Sequence, residues 1–407
     1  MTAQRKPYRL LLISDRYLPE IGGTITWFDN VYRRHPEHTV WIATQDYPNA
    51  PEFDRAYTTI SVLRASLKTY SFLKPESLLL FIRLFRMVLW TRLRRGIDVV
   101  HVGKVFPEGY VARLLRKLTG TPYIVYAHGE DVTIFGNDAN YRQRLPMIFN
   151  DAEAVIANSD FTRNELIKVG VYPEKIAKIS PGVDPRAFTP GPADETLIAD
   201  YDLGGKFVLL SVGRLAKRKG HDFVLKALPQ ILEHAPEVVY VIVSSGQEEQ
   251  NLKTLAAELG IEASVRFVGE VPYERLPDFF RVADIFILAN RTLPSGDVEG
   301  FGIVFVEAGA CEVPVIAGDS GGTADPVRHG INGFRVDASC AENLVAPIIT
   351  LIDDAPLRTK MGKEGRKIAE REYAWERVFE RIRSLTEQVL DDGFDAESFN
   401  KSAVSGD

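Results

Sequence analysis

The sequence predicts two doubly wound α/β domains in tandem. Three observations carry that expectation: short Val-, Ile- and Leu-rich runs alternate with longer segments of helical period, the alternation stops and restarts once, and a proline- and glycine-rich stretch lies between the two sets. Length agrees, because 407 residues are enough for two or three domains with their own cores.

In the first set, Tyr8–Ser14, Thr39–Ala43, Thr59–Leu63, Asp98–Val102, Tyr123–Ala127 and Ala154–Asn158 are apolar runs of strand length, each followed by a helical pattern. Continuous hydrophobicity is what parallel strands covered on both faces require. Pro181–Leu203 then carries Pro181, Pro185, Pro190, Pro192, Gly182 and Gly191 with little periodicity and reads as an inter-domain connection. The second set is Lys206–Val212, Val238–Ser244, Val265–Val268, Ile285–Ala289 and Val313–Ala317, with helical stretches around Phe223–Leu232, Glu248–Leu259 and Tyr273–Val282. Two helical patterns follow, Ala341–Lys367, split at Pro356, and Ala374–Leu390. The expected domains are 1–185 and 186–373. The acidic, small-residue stretch 392–407 is expected to be a disordered tail.

Composition excludes several classes. With 45% hydrophobic and 26% charged residues, the chain is neither disordered nor a disulfide scaffold. Cys311 and Cys340 have no ligand-like spacing, so neither a metal site nor a disulfide is expected, and a reducing cytoplasm fits. Met1–Lys6 is polar and leads directly into the first strand, without the apolar core of a signal peptide. The longest apolar candidate, Leu78–Leu93, is interrupted by Arg83, Arg86 and Arg92, short of the ~18 residues that span a bilayer. The net charge of −6 is uneven: residues 1–190 hold 26 Lys and Arg against 19 Asp and Glu, the remainder 23 against 36. The acidic second half argues against a nucleic-acid partner.

Ligands of open α/β sheets bind at the carboxyl ends of strands, so the loops there are the candidate sites. Gly22-Gly23 follows the first strand and precedes a helix; it is either a simple turn or a place where backbone approaches a phosphate. His128 ends the fifth strand, as a cleft acid or base or as a core histidine. In the second domain, Arg214, Lys217, Arg218 and Lys219 crowd one strand-end loop, which is either a solvated basic turn or a site where Arg214 and Lys219 supply the forked and point-like cations that suit a diphosphate. The segment Glu299-Gly300-Phe301-Gly302-Ile303-Val304 leads into a helix that carries Glu307 in its second turn. A buried carboxylate in so apolar a setting needs a polar partner. Hydroxyls, a diphosphate and further hydroxyls are the order of groups in a sugar nucleotide.

This constellation resembles the family-four retaining glycosyltransferases, whose GT-B fold is two facing Rossmann-like domains with a cleft between them. The likeness covers nearly the whole chain, from Gly22-Gly23 through His128, Arg214, Lys219, the E-x₇-E pair Glu299 and Glu307 and Pro314–Ala317 to Tyr373–Arg377. Within the family it is most similar to phosphatidylinositol mannosyltransferases and related lipid-directed mannosyltransferases.

The resemblance implies a set of roles. Arg214 and Lys219 hold the donor diphosphate. Glu299, with the backbone of Gly300, Phe301, Gly302, Ile303 and Val304, takes sugar hydroxyls and phosphate, and Glu307 takes the ribose. Val268 lies on the strand that would contact the base, His128 would meet the transferred sugar, and Gly22 and Gly23 would lie near the diphosphate. It also implies that a helix at about 374–391 joins the first domain. No cofactor or metal is implied; the nucleotide sugar is a co-substrate, with GDP-mannose favoured and a UDP-sugar the other option. The acceptor would be a glycan or a lipid-linked acceptor of cell-envelope or polysaccharide synthesis.

Pro75–Arg95 is apolar and carries five arginines. It is either a helix packed on the sheet with arginines in solvent or one that lies on an anionic membrane, which would put the protein in the cytoplasm or on the inner face of the plasma membrane. A GT-B-fold epimerase and a non-catalytic sugar-nucleotide-binding partner are the rival readings, and the first would need a different acid and base set. A NAD enzyme would need G-x-G-x-x-G, which neither domain has.

Overall fold

The computed structural model describes residues 7–20, 22–56, 60–67, 75–391 and 393–405. The chain divides into two compact units, Met1–Ser180 with Trp375–Asp407, and Pro181–Ala374.

The first unit is a seven-stranded sheet of β1 (Leu10–Ile13), β2 (Val40–Gln45), β3 (Ser61–Ala65), β4 (Val99–Val102), β5 (Tyr123–Ala127), β6 (Ala154–Ala157) and β7 (Ile176–Lys178). Their order is β3-β2-β1-β4-β5-β6-β7, and every pairing is parallel. The second unit has β8 (Phe207–Val212), β9 (Val238–Val243), β10 (Val265–Gly269), β11 (Ile285–Leu288), β12 (Val315–Gly318) and β13 (Gly333–Val336), in the order β10-β9-β8-β11-β12-β13, again all parallel. Strand β1, β4, β5, β6, β9, β11 and β12 residues are buried throughout, as two-sided coverage by helices demands. In each sheet the strand order reverses beside its first strand, between β1 and β4 and between β8 and β11. Those switch points open the crevices where ligands bind.

The apolar runs of the sequence fall on eleven of these strands, with Thr59 lying outside the described residues. The edge strands β7 and β13 were not anticipated. Ile-Ala-Lys and Gly-Phe-Arg-Val are short and carry a charge, so their periodicity is too weak to separate from a loop. Pro181–Leu203 belongs to the second unit, where Phe188, Leu197 and Leu203 are buried.

Positions 392, 406 and 407 lie outside the described residues, and the expected disorder of 392–407 is corrected over Ala396–Ser405, which form a helix. Its Asn400 side chain accepts from the Lys178 amide at 2.8 Å and donates to the Ile176 carbonyl at 2.9 Å, so it satisfies the open backbone of edge strand β7. Composition cannot register an edge strand that needs a partner. The preceding helix, Trp375–Leu390, buries Trp375, Val378, Ile382, Leu385 and Val389 on one face of the first unit. Its Thr386 hydroxyl lies 3.2 Å from Nε2 of the buried His101, and Phe379 packs edge-on to His35.

The helix Pro75–Arg95 buries Leu80, Leu84 and Val88 and exposes Leu79, Ile82, Trp90 and Leu93. No helix among the described residues is long and apolar enough to cross a membrane.

Candidate active site

The loops after β8 and β11 are locked together before any side chain is considered. Gly220 has φ +74°, and a Cβ there would fall 2.0 Å from the Ala289 carbonyl oxygen. Only glycine fits. The Arg291 amide donates to the Arg218 carbonyl at 2.9 Å across the same contact.

On this base sits a buried ionic cluster. Glu299 Oε2 accepts from Lys219 Nζ at 2.5 Å, from Arg218 Nη1 at 3.0 Å and from Asn290 Nδ2 at 3.2 Å. Arg218 also pairs through Nε with Asp297 Oδ1 at 2.9 Å. Arg218, Lys219 and Glu299 are each under a tenth exposed. Burial works to raise the Glu299 pKa, but Lys219 and Arg218 outweigh it and hold the carboxyl at about 2. Burial also pulls the Lys219 ammonium below its ordinary value, and Arg218 and Arg214 add to that pull against the opposing charge of Glu299. Arg214 itself is exposed and makes no ion pair among the described residues. Lys217 of the same loop is exposed as well.

The helix Ile303–Ala310 starts on Gly302, at φ +90°, with no side-chain cap. Its first amides carry the partial positive charge of a helix start. Gly300, Phe301 and Gly302 are buried just before it, and the Phe301 ring packs on Tyr373 at 5.4 Å. Inside the helix, Glu307 is 1% exposed. Its Oε1 accepts from the Tyr273 hydroxyl at 2.8 Å, while Oε2 has no hydrogen-bond partner among the described residues. Burial pushes this carboxyl up to about 7 against the opposing hydrogen bond from Tyr273. The polar partner required of Glu307 is therefore half supplied, and one acceptor oxygen is left over.

At the carboxyl end of β10 the register with β9 shifts between Phe267 and Gly269, which makes Val268 the bulged residue. A bulge frees backbone groups from the ladder. Ser244 holds φ +120° and donates its amide to the Gly269 carbonyl at 2.8 Å. Serine there carries backbone strain that glycine would not.

In the first unit, Gly22 caps the helix Gly23–Tyr32 in an extended conformation without a side-chain bond. Trp27 and Phe28 of that helix meet His128 edge-on at 5.7 and 5.9 Å, and Tyr126 stacks on it at 6.3 Å. His128 Nε2 lies 2.9 Å from the Gly103 carbonyl, which only accepts, so the proton sits on Nε2. Nδ1 is the nitrogen left for a ligand.

Sequence reasoning assigned no role to Arg218, Asn290, Asp297 or Tyr273. Arg218 lies inside a segment already singled out, so only its pairing was hidden, and Asn290 and Asp297 lie on the loop between the strand Ile285–Ala289 and Glu299. Tyr273 is 34 residues from Glu307, and nothing in the sequence links the two. Also unassigned were Glu108 and Asp131, buried carboxyls beside Lys104 whose Oε2 and Oδ2 have no partner among the described residues. Burial raises both, with Asp15 adding to the effect at Glu108. Among the described residues no group of three or more His, Cys, Asp or Glu side chains is placed to hold a metal ion.

Two parallel doubly wound sheets in one chain, with a cation-rich loop facing an uncapped helix at the second switch point, define a GT-B glycosyltransferase. The Glycosyltransferase Family 4 model matches residues 25–187, and that of Glycosyl transferases group 1 matches residues 194–368. The chain belongs to glycosyltransferase family 4. It is 31% identical over 393 residues to the GDP-mannose-dependent monoacylated alpha-(1-6)-phosphatidylinositol monomannoside mannosyltransferase of Corynebacterium glutamicum, covering 95% of this chain and 98% of that protein. To the GDP-mannose-dependent alpha-(1-6)-phosphatidylinositol monomannoside mannosyltransferase of Mycolicibacterium smegmatis it is 29% identical over 374 residues, or 90% and 95% of the two chains. Among solved structures, Anabaena HepE in complex with UDP and glucose superposes with a TM-score of 0.78 at 21% identity, covering 94% of this chain and 100% of HepE. That likeness is one of fold.

Proposed function

We propose that this glycosyltransferase moves mannose, with retention, from GDP-mannose to a phosphatidylinositol mannoside or a similar lipid-linked acceptor. The observation that carries the donor half is the Lys219–Glu299 contact at the β8/β11 switch point, beside an exposed Arg214 and an uncapped helix start. The donor diphosphate lies on Arg214, Lys219 and the amides of Ile303 and Val304. Glu299 takes sugar hydroxyls, and Glu307 Oε2 accepts a ribose hydroxyl. Departure of the nucleoside diphosphate builds charge on phosphate oxygens, and fixed cations with a helix dipole stabilise that charge without reorganising. The mannose, the guanine base and the inositol lipid rest on the relatives named above.

The acceptor is bound by the first unit, whose His128 offers Nδ1 to a sugar hydroxyl. The exposed Leu79, Ile82, Trp90 and Leu93 of the helix Pro75–Arg95, with Arg83, Arg86, Arg94 and Arg95 also exposed, form a basic amphipathic surface. It suits an anionic lipid face, which brings the enzyme to its acceptor on the cytoplasmic side of the membrane.

The test is transfer of labelled mannose from GDP-mannose to phosphatidylinositol mannoside in vesicles, with UDP- and ADP-sugars as competing donors. Arg214→Ala and Lys219→Ala should each cost roughly 10²–10³ in kcat, the range for one transition-state donor. Full transfer by the Lys219→Ala variant, or transfer only from another nucleotide sugar, would overturn the corresponding half of the reading.

A further inference from the structure

Lys219 cannot serve two anions equally. In the structure its ammonium is spent on Glu299, 2.5 Å away. If it turns to a donor diphosphate, Glu299 loses its nearest cation while it is still buried. An uncompensated buried carboxylate is costly and tends to take up a proton.

Arg218 is built to prevent this. Its guanidinium spans two carboxylates of the loop after β11, Nε on Asp297 and Nη1 on Glu299, at 2.9 and 3.0 Å. A planar fork holds both in a fixed, preorganised geometry, whereas an ammonium is a point charge on a flexible stem. The backbone bond from Arg291 to the Arg218 carbonyl fixes the stem of the fork to the same loop. Asn290 supplies a third, neutral donor to Glu299.

We infer that Arg218 is a positioning residue: anchored on Asp297, it stays with Glu299 when Lys219 turns to the diphosphate, and so keeps that carboxylate charged and aimed for the sugar. This rests on the donor-site reading above. The charged groups around Glu299 are Lys219 and Arg218 in direct contact, with Arg214 acting on Lys219 and Asp297 on the far side of the guanidinium. None of them titrates between pH 5 and 8 at its ordinary pKa. Glu307, pushed up to about 7, titrates there in every variant and is the common background.

The experiment measures donor kcat/KM and kcat against pH for the wild type, Arg218→Gln, Arg218→Lys and Asp297→Asn, with GDP binding by calorimetry as control. Arg218→Gln should lose roughly ten- to hundredfold in kcat, the range for a hydrogen bond to a charged group. It should also add a new decline toward acid pH that the wild type lacks. Arg218→Lys should recover part of the rate. Asp297→Asn should show a milder form of the same new limb, and should not add to Arg218→Gln in the double variant. An Arg218→Gln profile of wild-type shape, at whatever height, overturns the inference, and so does full additivity with Asp297→Asn. If Arg218→Gln does not fold, the presence or absence of the limb in Asp297→Asn decides. Absence of GDP binding by the wild type would strike the donor-site reading instead.

Discussion

At the residue scale, the two glutamates of the E-x₇-E pair are opposite in their electrostatics. Glu299 is held at about 2, so the stability it contributes is present above the ordinary glutamate pKa and lost as the pH falls toward 2. Glu307 is raised to about 7: the folded chain holds a proton that the unfolded chain releases, and stability falls as the pH climbs from about 4.5 to 7. Above pH 7 the penalty is on the order of 3 kcal/mol. Replacing Glu307 by Gln removes it. The Glu307→Gln variant should therefore melt several degrees higher than wild type at pH 8, with a much smaller gain at pH 5, and should bind nucleoside diphosphate more weakly. Calorimetric melts at the two pH values check the first point, and titration with GDP against its 2′,3′-dideoxy form checks the second. A gain in stability that costs function is what a strained ligand-binding group produces. The sequence showed that Glu307 needed a partner, because its neighbours are all apolar. It could not show that Tyr273 would satisfy one oxygen and leave the other.

At the element scale, the helix Pro75–Arg95 contains the one tryptophan of four that is open to solvent. Trp27, Trp41 and Trp375 are 2%, 7% and 0% exposed, against 49% for Trp90. Intrinsic fluorescence should therefore report on this helix. Adding vesicles rich in anionic phospholipid should shift the emission to the blue, neutral vesicles should have little effect, and salt should reverse the change. Trp90→Phe should abolish the shift without releasing the protein from the vesicles, and neutralising the five arginines should abolish both. An unshifted emission with protein still bound would place contact elsewhere. This helix was legible in the sequence because its period is long and regular. The edge strands β7 and β13 were not, since three or four residues such as Ile176–Lys178 acquire strand geometry only from a neighbour. Nothing in the sequence marks Ser244 as a residue held at φ +120°.

At the scale of the whole molecule, the chain enters and leaves the second unit at one place: the Val183 amide donates to the Tyr373 carbonyl at 2.8 Å, and Val183 bridges Ala374. Adjacent ends and a separate core mark a unit that folds by itself. Residues 181–374 expressed alone should give a cooperative melt and bind GDP within about tenfold of the full chain; a molten fragment without nucleotide affinity would contradict this. The charge balance also changes. Split by units, the first holds 29 Lys and Arg against 26 Asp and Glu, and the second 20 against 29. The acidic C-terminal helices offset much of the basic excess seen in residues 1–190, which concentrates the meaning of that excess in the arginines of one helix.

The return of Trp375–Leu390 to the first unit also sets an order of events on the ribosome. The sheet of that unit is synthesised first, yet its final helices emerge only after all of residues 181–374, roughly 10–40 s later at 5–20 residues per second. Through that interval the rim of β7 lacks Asn400, and His35 and His101 lack Phe379 and Thr386. The half made first is the half finished last, so a nascent chain must keep an incomplete apolar surface from associating while the later half matures.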